Sequence, residues 1–119
     1  MEHKRLCESD YRFLSVVWDN EPLTSARLVE LCAQELGWKK STTYTMIKKL
    51  CEKGLLQSED AVVTALVSRQ TVQAEESRRF LDQTFNGSIS AFMAAFSAQE
   101  ALSADEIDAL RRYLDELSK

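Results

Sequence analysis

The chain has 119 residues, with 45% hydrophobic and 29% charged side chains and only three Gly and one Pro, which suits one domain or a small module followed by a second helical unit and excludes a disordered chain. No apolar run nears the roughly 18 residues that would span a bilayer, and the N-terminus MEHKRLCESDYRF has no apolar signal core, so a soluble, cytoplasmic protein is expected. The formal net charge is −4, yet up to Gln70 ten Lys/Arg balance ten Asp/Glu and the acidic excess lies beyond, so the total does not exclude a polyanion partner.

The first periodic segment, SDYRFLSVVWDN, sets Tyr11, Leu14, Val17 and Trp18 at helical spacing behind Ser9 as an N-cap, and Asn20-Glu21-Pro22 ends it. The next, TSARLVELCAQELG, offers Thr24 as a cap, Leu28, Leu31, Cys32 and Leu36 as one apolar stripe, and Gly37 for the left-handed position after the helix. Ser41 caps a third helix running to Lys53, closed by Gly54. The period then changes: Leu55-Leu56-Gln57 and Val62 to Val67 read as strands separated by a turn at Ser58-Glu59-Asp60. Three helices followed by a hairpin is the layout of a winged helix-turn-helix, although other small α+β domains share it.

From Thr71 the helical period returns. Val72, Phe80, Leu81 and Phe85 mark one segment, ended by Asn86-Gly87, and Ile89, Phe92, Met93 and Phe96 mark a second. Ser103, with Glu106 three residues on, forms a capping box for a last helix striped by Ile107, Leu110, Leu114 and Leu117. An isolated trio of helices cannot hide so many large apolar side chains, so residues 71–119 are expected to be a dimerisation domain following a winged-helix domain in residues 1–70. The alternative is that these stripes fold back on the N-terminal unit in a monomer.

The third helix carries the chemistry. Lys39, Lys40, Lys48, Lys49 and Lys53, less Glu52, leave a local +4 in an acidic chain. At about 100° per residue, Thr43, Ile47, Leu50, Cys51 and Gly54 fall on one side and Ser41, Thr42, Thr45, Lys48, Lys49 and Glu52 on the other. Hydroxyls at the N-terminal end of a helix in the major groove can meet base edges and phosphates, a Thr methyl can pack on a thymine methyl, and lysines neutralise phosphates. A lysine-rich outer face is by itself most often a solvated face; its place on the third helix of this layout points to double-stranded DNA. Tyr44, between the two faces, either touches phosphate or covers the edge of the core, and Arg69 either reaches a phosphate or serves at the surface. Trp38 is expected to fill the gap between the second and third helices. The acids Glu59 and Asp60 stand where a wing tip would meet the backbone of DNA, which weakens wing contacts.

Cys7, Cys32 and Cys51, odd in number and without a CxxC or a His pair, indicate neither disulfides nor zinc but inert, partly buried thiols. His3 is the sole histidine, in a terminus expected to fray, and no phosphate loop or metal motif is present, so neither an enzyme nor a cofactor is expected.

The run from Trp38 to Leu56, WKKSTTYTMIKKLCEKGLL, resembles the recognition-helix motif of the penicillinase repressor family (the BlaI/MecI type), in which a Trp is followed by Thr at plus four and plus seven, a basic residue and Leu, then Lys-Gly. Ser68 to Ser88, with Glu-Ser, Phe-Leu and Phe-x-Gly-Ser elements, is similar to the start of that family's dimerisation region, and the similarity extends through the closing LSADEIDALRRYLDEL. The resemblance implies a mainly α winged-helix repressor that binds a palindromic operator as a homodimer. In the antibiotic-responsive members release follows cleavage by a membrane sensor-protease, and the matching bond here is Arg79-Phe80, where those members carry Asn-Phe. No cysteine follows Cys51, so the metal sensing of the copper-responsive branch is not implied. Lys49 stands where the family usually has Arg, and Asp60-Ala61-Val62 where its wing usually has Gly-Arg. Without the bidentate fork of Arg, specific binding would rest more on Thr42, Thr45 and the lysines. A winged-helix module whose basic face meets an acidic protein is the competing reading.

Overall fold

The computed structural model describes residues 6–119; the expectation for His3 lies outside the described residues. The chain contacts divide it into two compact units, between Ser77 and Arg78.

The first unit opens with helices α1 (Glu8–Asn20), α2 (Ser25–Leu36) and α3 (Lys40–Glu52), with a two-residue strand β1 (Leu23–Thr24) before α2. Strands β2 (Leu56–Glu59) and β3 (Val62–Ala65) follow, and the antiparallel sheet is ordered β1-β3-β2. The register pairs Leu23 with Val63 and Leu56 with Ala65. One core joins all of this: Phe13, Leu14 and Val17 of α1, Leu28 and Cys32 of α2, Ile47 and Leu50 of α3, and Leu55, Leu56 and Val63 of the hairpin. Apolar residues at helical spacing on three helices and at alternate positions on β3 can all reach that volume, and this places the strands against the helices. The fold is a winged helix-turn-helix, mainly α with a small sheet.

Local signals set most of the boundaries. Thr24 Oγ1 accepts from the Arg27 N–H at 3.0 Å, capping α2, and Gly37 ends it at φ +70°. Two expected caps fall elsewhere. The helix expected to start behind Ser9 is capped at Cys7, where the Cys7 N–H donates to Asp10 Oδ2 at 3.3 Å. The cap expected at Ser41 is Lys39, so Ser41 lies within the first turn of α3.

The hairpin turn is also displaced from Ser58-Glu59-Asp60. Ser58 and Glu59 pair with Val63 and Val62, and the chain reverses at Asp60-Ala61, both with positive φ (51° and 62°). Two left-handed residues match the twist of the flanking strands. The wing is tied down at both ends: the Ser25 N–H donates to Ala61 O at 2.8 Å, and the Ala65 N–H to Glu21 Oε1 at 2.8 Å.

Helix α4 (Arg69–Phe85) starts in the first unit, where Val72 is buried, and α5 (Ile89–Gln99) and α6 (Ala104–Leu117) complete the second. The Ser103–Glu106 capping box is formed in both directions, at 3.0 and 3.1 Å. The Ser103 amide and hydroxyl bond the Glu106 carboxylate and hold it below its ordinary pKa. Within the second unit Phe80, Phe85, Phe92 and Phe96 form a chain of ring contacts with centroids 5.6–6.0 Å apart. No residue of α5 or α6 is fully buried.

Candidate nucleic-acid interface

α3 presents Lys40, Ser41, Thr42, Tyr44, Thr45 and Lys48 outward, preceded by exposed Lys39, while Thr43, Met46, Ile47 and Leu50 face the core. The hydroxyl face predicted from the wheel is therefore assembled on one side of one helix. Its N-terminus has no side-chain cap, so the first amides keep their donors turned outward at the positive end of the helix dipole, beside Lys39 and Lys40. The Thr45 hydroxyl donates to Ser41 O at 2.9 Å, which fixes its rotamer and leaves its methyl and an oxygen lone pair available. Lys40 Nζ lies 5.9 Å from the centre of the Tyr44 ring, so the aromatic positions a cation at the start of the helix.

The lysines divide into two groups. Among the described residues Lys39, Lys40 and Lys48 form no ion pair. Lys49 Nζ, by contrast, lies 3.0 Å from Asp10 Oδ1, and Lys53 Nζ 3.5 Å from Asp10 Oδ2. Asp10, in the first turn of α1, is only 1% exposed. Burial pushes its carboxyl up, but bonds from Lys49 and the Cys7 N–H outweigh burial and hold it below the ordinary carboxylate value. The same bond to Asp10 holds the Lys49 ammonium above its usual range. Sequence reasoning missed Asp10, because an acid in a first helical turn reads as a dipole partner and only tertiary packing buries it. Counting Asp10, the +4 of the lysine-rich stretch becomes +3.

Lys49 is thus turned toward α1 rather than simply outward. A shallow depression of about 470 Å³ lies over Thr45, Lys48, Lys49, Glu52 and Lys53, so both restrained lysines still border the surface.

Arg69 is also engaged. Its guanidinium lies 2.7 Å from Asp19 Oδ1 and 5.3 Å from the centre of the Trp18 ring, and the Trp18 indole N–H donates to Val67 O at 2.9 Å. Of the two roles left open by sequence, the structure supplies an intramolecular one, fastening α4 to α1. Trp38, expected between the second and third helices, packs against the core and stacks on Phe13 of α1, centroids 5.7 Å apart.

Of the thiols, Cys32 is buried, Cys51 half-buried and Cys7 exposed, so the expectation of partial burial fails at Cys7. Burial raises the Cys32 and Cys51 pKa values. Among the described residues no group of three or more potential ligands could hold a metal, and no helix is long and apolar enough to cross a membrane.

In the second unit the predicted stripe residues divide by exposure. Phe80, Ile89, Phe96, Ile107, Leu110, Leu114 and Leu117 are exposed, and Leu81, Phe85, Phe92 and Met93 half-buried. The Arg79-Phe80 bond lies inside continuous α4. A protease needs that turn of helix to open before it can act.

This arrangement defines a class: winged-helix proteins with a helical C-terminal extension. The family model described as "Penicillinase repressor" matches residues 6–116, and the chain belongs to that family, one of transcriptional repressors and not of enzymes. It is 23% identical over 114 residues, 92% of this chain and 93% of the relative, to the methicillin resistance regulatory protein MecI of Staphylococcus aureus (strain Mu50 / ATCC 700699). It is 22% identical over 116 residues, 94% of this chain and 91% of the relative, to the penicillinase repressor of Bacillus licheniformis. The solution structure of the DNA-binding domain of the repressor BlaI superposes with a TM-score of 0.50 at 18% identity, covering 57% of this chain and 88% of that one.

Proposed function

We propose that this protein is a sequence-specific, DNA-binding transcriptional repressor that acts as a homodimer on a palindromic operator and leaves it on a signal. The observation that carries the reading is the outward face of α3: uncapped helix-start amides, Ser41, Thr42 and Thr45 hydroxyls, and Lys39, Lys40 and Lys48, which pair with no carboxylate among the described residues. In the major groove, Thr42 and Thr45 would meet base edges and thymine methyls, the helix start and Lys39 and Lys40 one phosphate strand, and Lys48 the other. Residues 1–70 serve as the DNA-binding part and 71–119 as the dimerisation part. The lack of any fully buried residue in α5 or α6 supports covering of that half by a second copy.

Selection of purified protein against genomic fragments, competed with random duplex, tests this reading. It should enrich a palindrome with half-sites about one helical turn apart, and Lys40→Glu with Lys48→Glu should abolish the enrichment while the fold persists. Full affinity in that double variant would sink the reading. Glu59 and Asp60, exposed at the wing tip, favour a second reading, a module whose basic face meets an acidic protein; absence of duplex binding even at low salt would select it.

A further inference from the structure

Asp10 and its two lysines join α1 to the DNA-facing helix, and the geometry points to a role beyond holding the fold. We propose that Asp10 is a specificity-determining residue: it restrains Lys49 and Lys53, 3.0 and 3.5 Å away, and so keeps them out of nonspecific phosphate binding. This rests on the DNA-binding reading above.

Three observations carry it. The carboxylate is almost wholly shielded from water, whereas Lys49 and Lys53 keep 43% and 20% of their side-chain surface exposed. Both lysines border the same shallow depression as Thr45 and Lys48, so a phosphate could reach them there. And Asp10 is the only carboxylate that either lysine pairs with among the described residues, so its charge alone decides whether they are available.

The physical consequence concerns counterions. A lysine already neutralised within the protein releases few counterions when a phosphate approaches, so it adds little to the sequence-independent part of binding. On a random duplex the binding charge then comes from Lys39, Lys40 and Lys48. On a cognate site, where Thr42 and Thr45 fix the register, a phosphate held at the depression can share the ammonium protons of Lys49, and the restrained lysines are recruited only there. A lower nonspecific background at equal specific affinity is a larger specificity ratio.

The test is binding of the full chain to a fluorescent random-sequence 40-base-pair duplex, read by anisotropy across a salt series. Asp10→Asn keeps the side-chain shape and an acceptor for the Cys7 N–H but releases both ammonium groups. Nonspecific affinity at low salt should rise at least tenfold, and the log–log salt slope should steepen by about 2 to 4 for a dimer with two freed lysines per protomer. Lys49→Gln in that background should remove about 2 of this, while Lys49→Gln alone should hardly move the slope. The single-lysine comparison keeps the inference falsifiable even if Asp10→Asn fails to fold, because Lys49→Gln should cost much less slope than Lys48→Gln in the otherwise natural chain. Equal losses from Lys49→Gln and Lys48→Gln, or an unchanged slope in folded Asp10→Asn, would overturn it. Wild-type protein that binds no duplex at any salt would instead refute the DNA-binding reading on which it stands.

Discussion

Truncating the C-terminal stripe should dissociate the proposed homodimer without unfolding the winged helix. Leu114 and Leu117 of α6 are the informative pair because they are 58% and 63% exposed, whereas Ile107 and Leu110 are already more than half covered within the protomer. Burying a whole Leu side chain is worth about 1.5–3 kcal/mol, so covering the exposed parts of both contributes about 2–3.5 kcal/mol per protomer, or about 4–7 kcal/mol per symmetric dimer. Alanine retains part of that surface, which leaves a loss of about 3–5 kcal/mol for Leu114→Ala with Leu117→Ala. At about 1.4 kcal/mol per tenfold, the dissociation constant should weaken by roughly 10²-fold to several thousandfold. Sedimentation equilibrium over a concentration series reads this directly, with far-ultraviolet circular dichroism to show that the helices persist. A folded double variant with the wild-type dissociation constant, or a wild-type protein monomeric at tens of micromolar, would refute the assignment of α6 to the dimer interface. Operator binding should fall with dimerisation, since a lone protomer presents only one α3.

Two further outcomes follow from single groups. Thr43, wholly buried on the inner face of α3, has a hydroxyl that makes no hydrogen bond of ordinary geometry, although the Cys32 thiol lies close enough to interact with it. Thr43→Val keeps the shape and removes that unsatisfied group, so it should stabilise the first unit by about 1–2 kcal/mol and raise its melting temperature by several degrees; a drop in calorimetry would mean that the thiol contact is a true bond. Asp10, whose folded pKa is below its ordinary value of 3.8, contributes stability that is complete at neutral pH and is lost as pH falls below about 4 through the folded value; Asp10→Asn should flatten this acid limb of the stability curve. Urea midpoints measured between pH 2 and 6 check this, and an unchanged limb in the variant would show that other carboxylates cause the acid loss.

What was legible in the sequence was what is settled locally. Thr24, Gly37 and the Ser103–Glu106 pair act on atoms within a few residues, and each is where the pattern put it. β1 has two residues and no period of its own, and exists because Val62 and Val63 offer it an edge. The hairpin turn was displaced because pairing Ser58 with Val63, which is buried, leaves only Asp60-Ala61 to reverse the chain, whatever the turn propensity of Ser58 and Glu59. The wheel placed the outward hydroxyls and Lys48 correctly, since they depend only on helical phase. It could not show that Lys49, Lys53 and Arg69 carry carboxylate partners, because Asp10 and Asp19 lie tens of residues away in sequence.

That division bears on why an acidic chain concentrates lysine on one helix. Were all five lysines free, the local field would attract any duplex, and specificity would have to come from Thr42 and Thr45 against a strong nonspecific background. With Asp10 holding two of them, the free charge gathers toward the start of α3, at Lys39 and Lys40, with Lys48 two turns on. There the uncapped amides and the dipole favour an anion, and in the proposed complex the hydroxyls would stand closest to the bases. On the DNA-binding reading proposed above, attraction and reading would then be coupled in one part of one helix, with Glu59 and Asp60 at the wing tip adding no positive charge of their own.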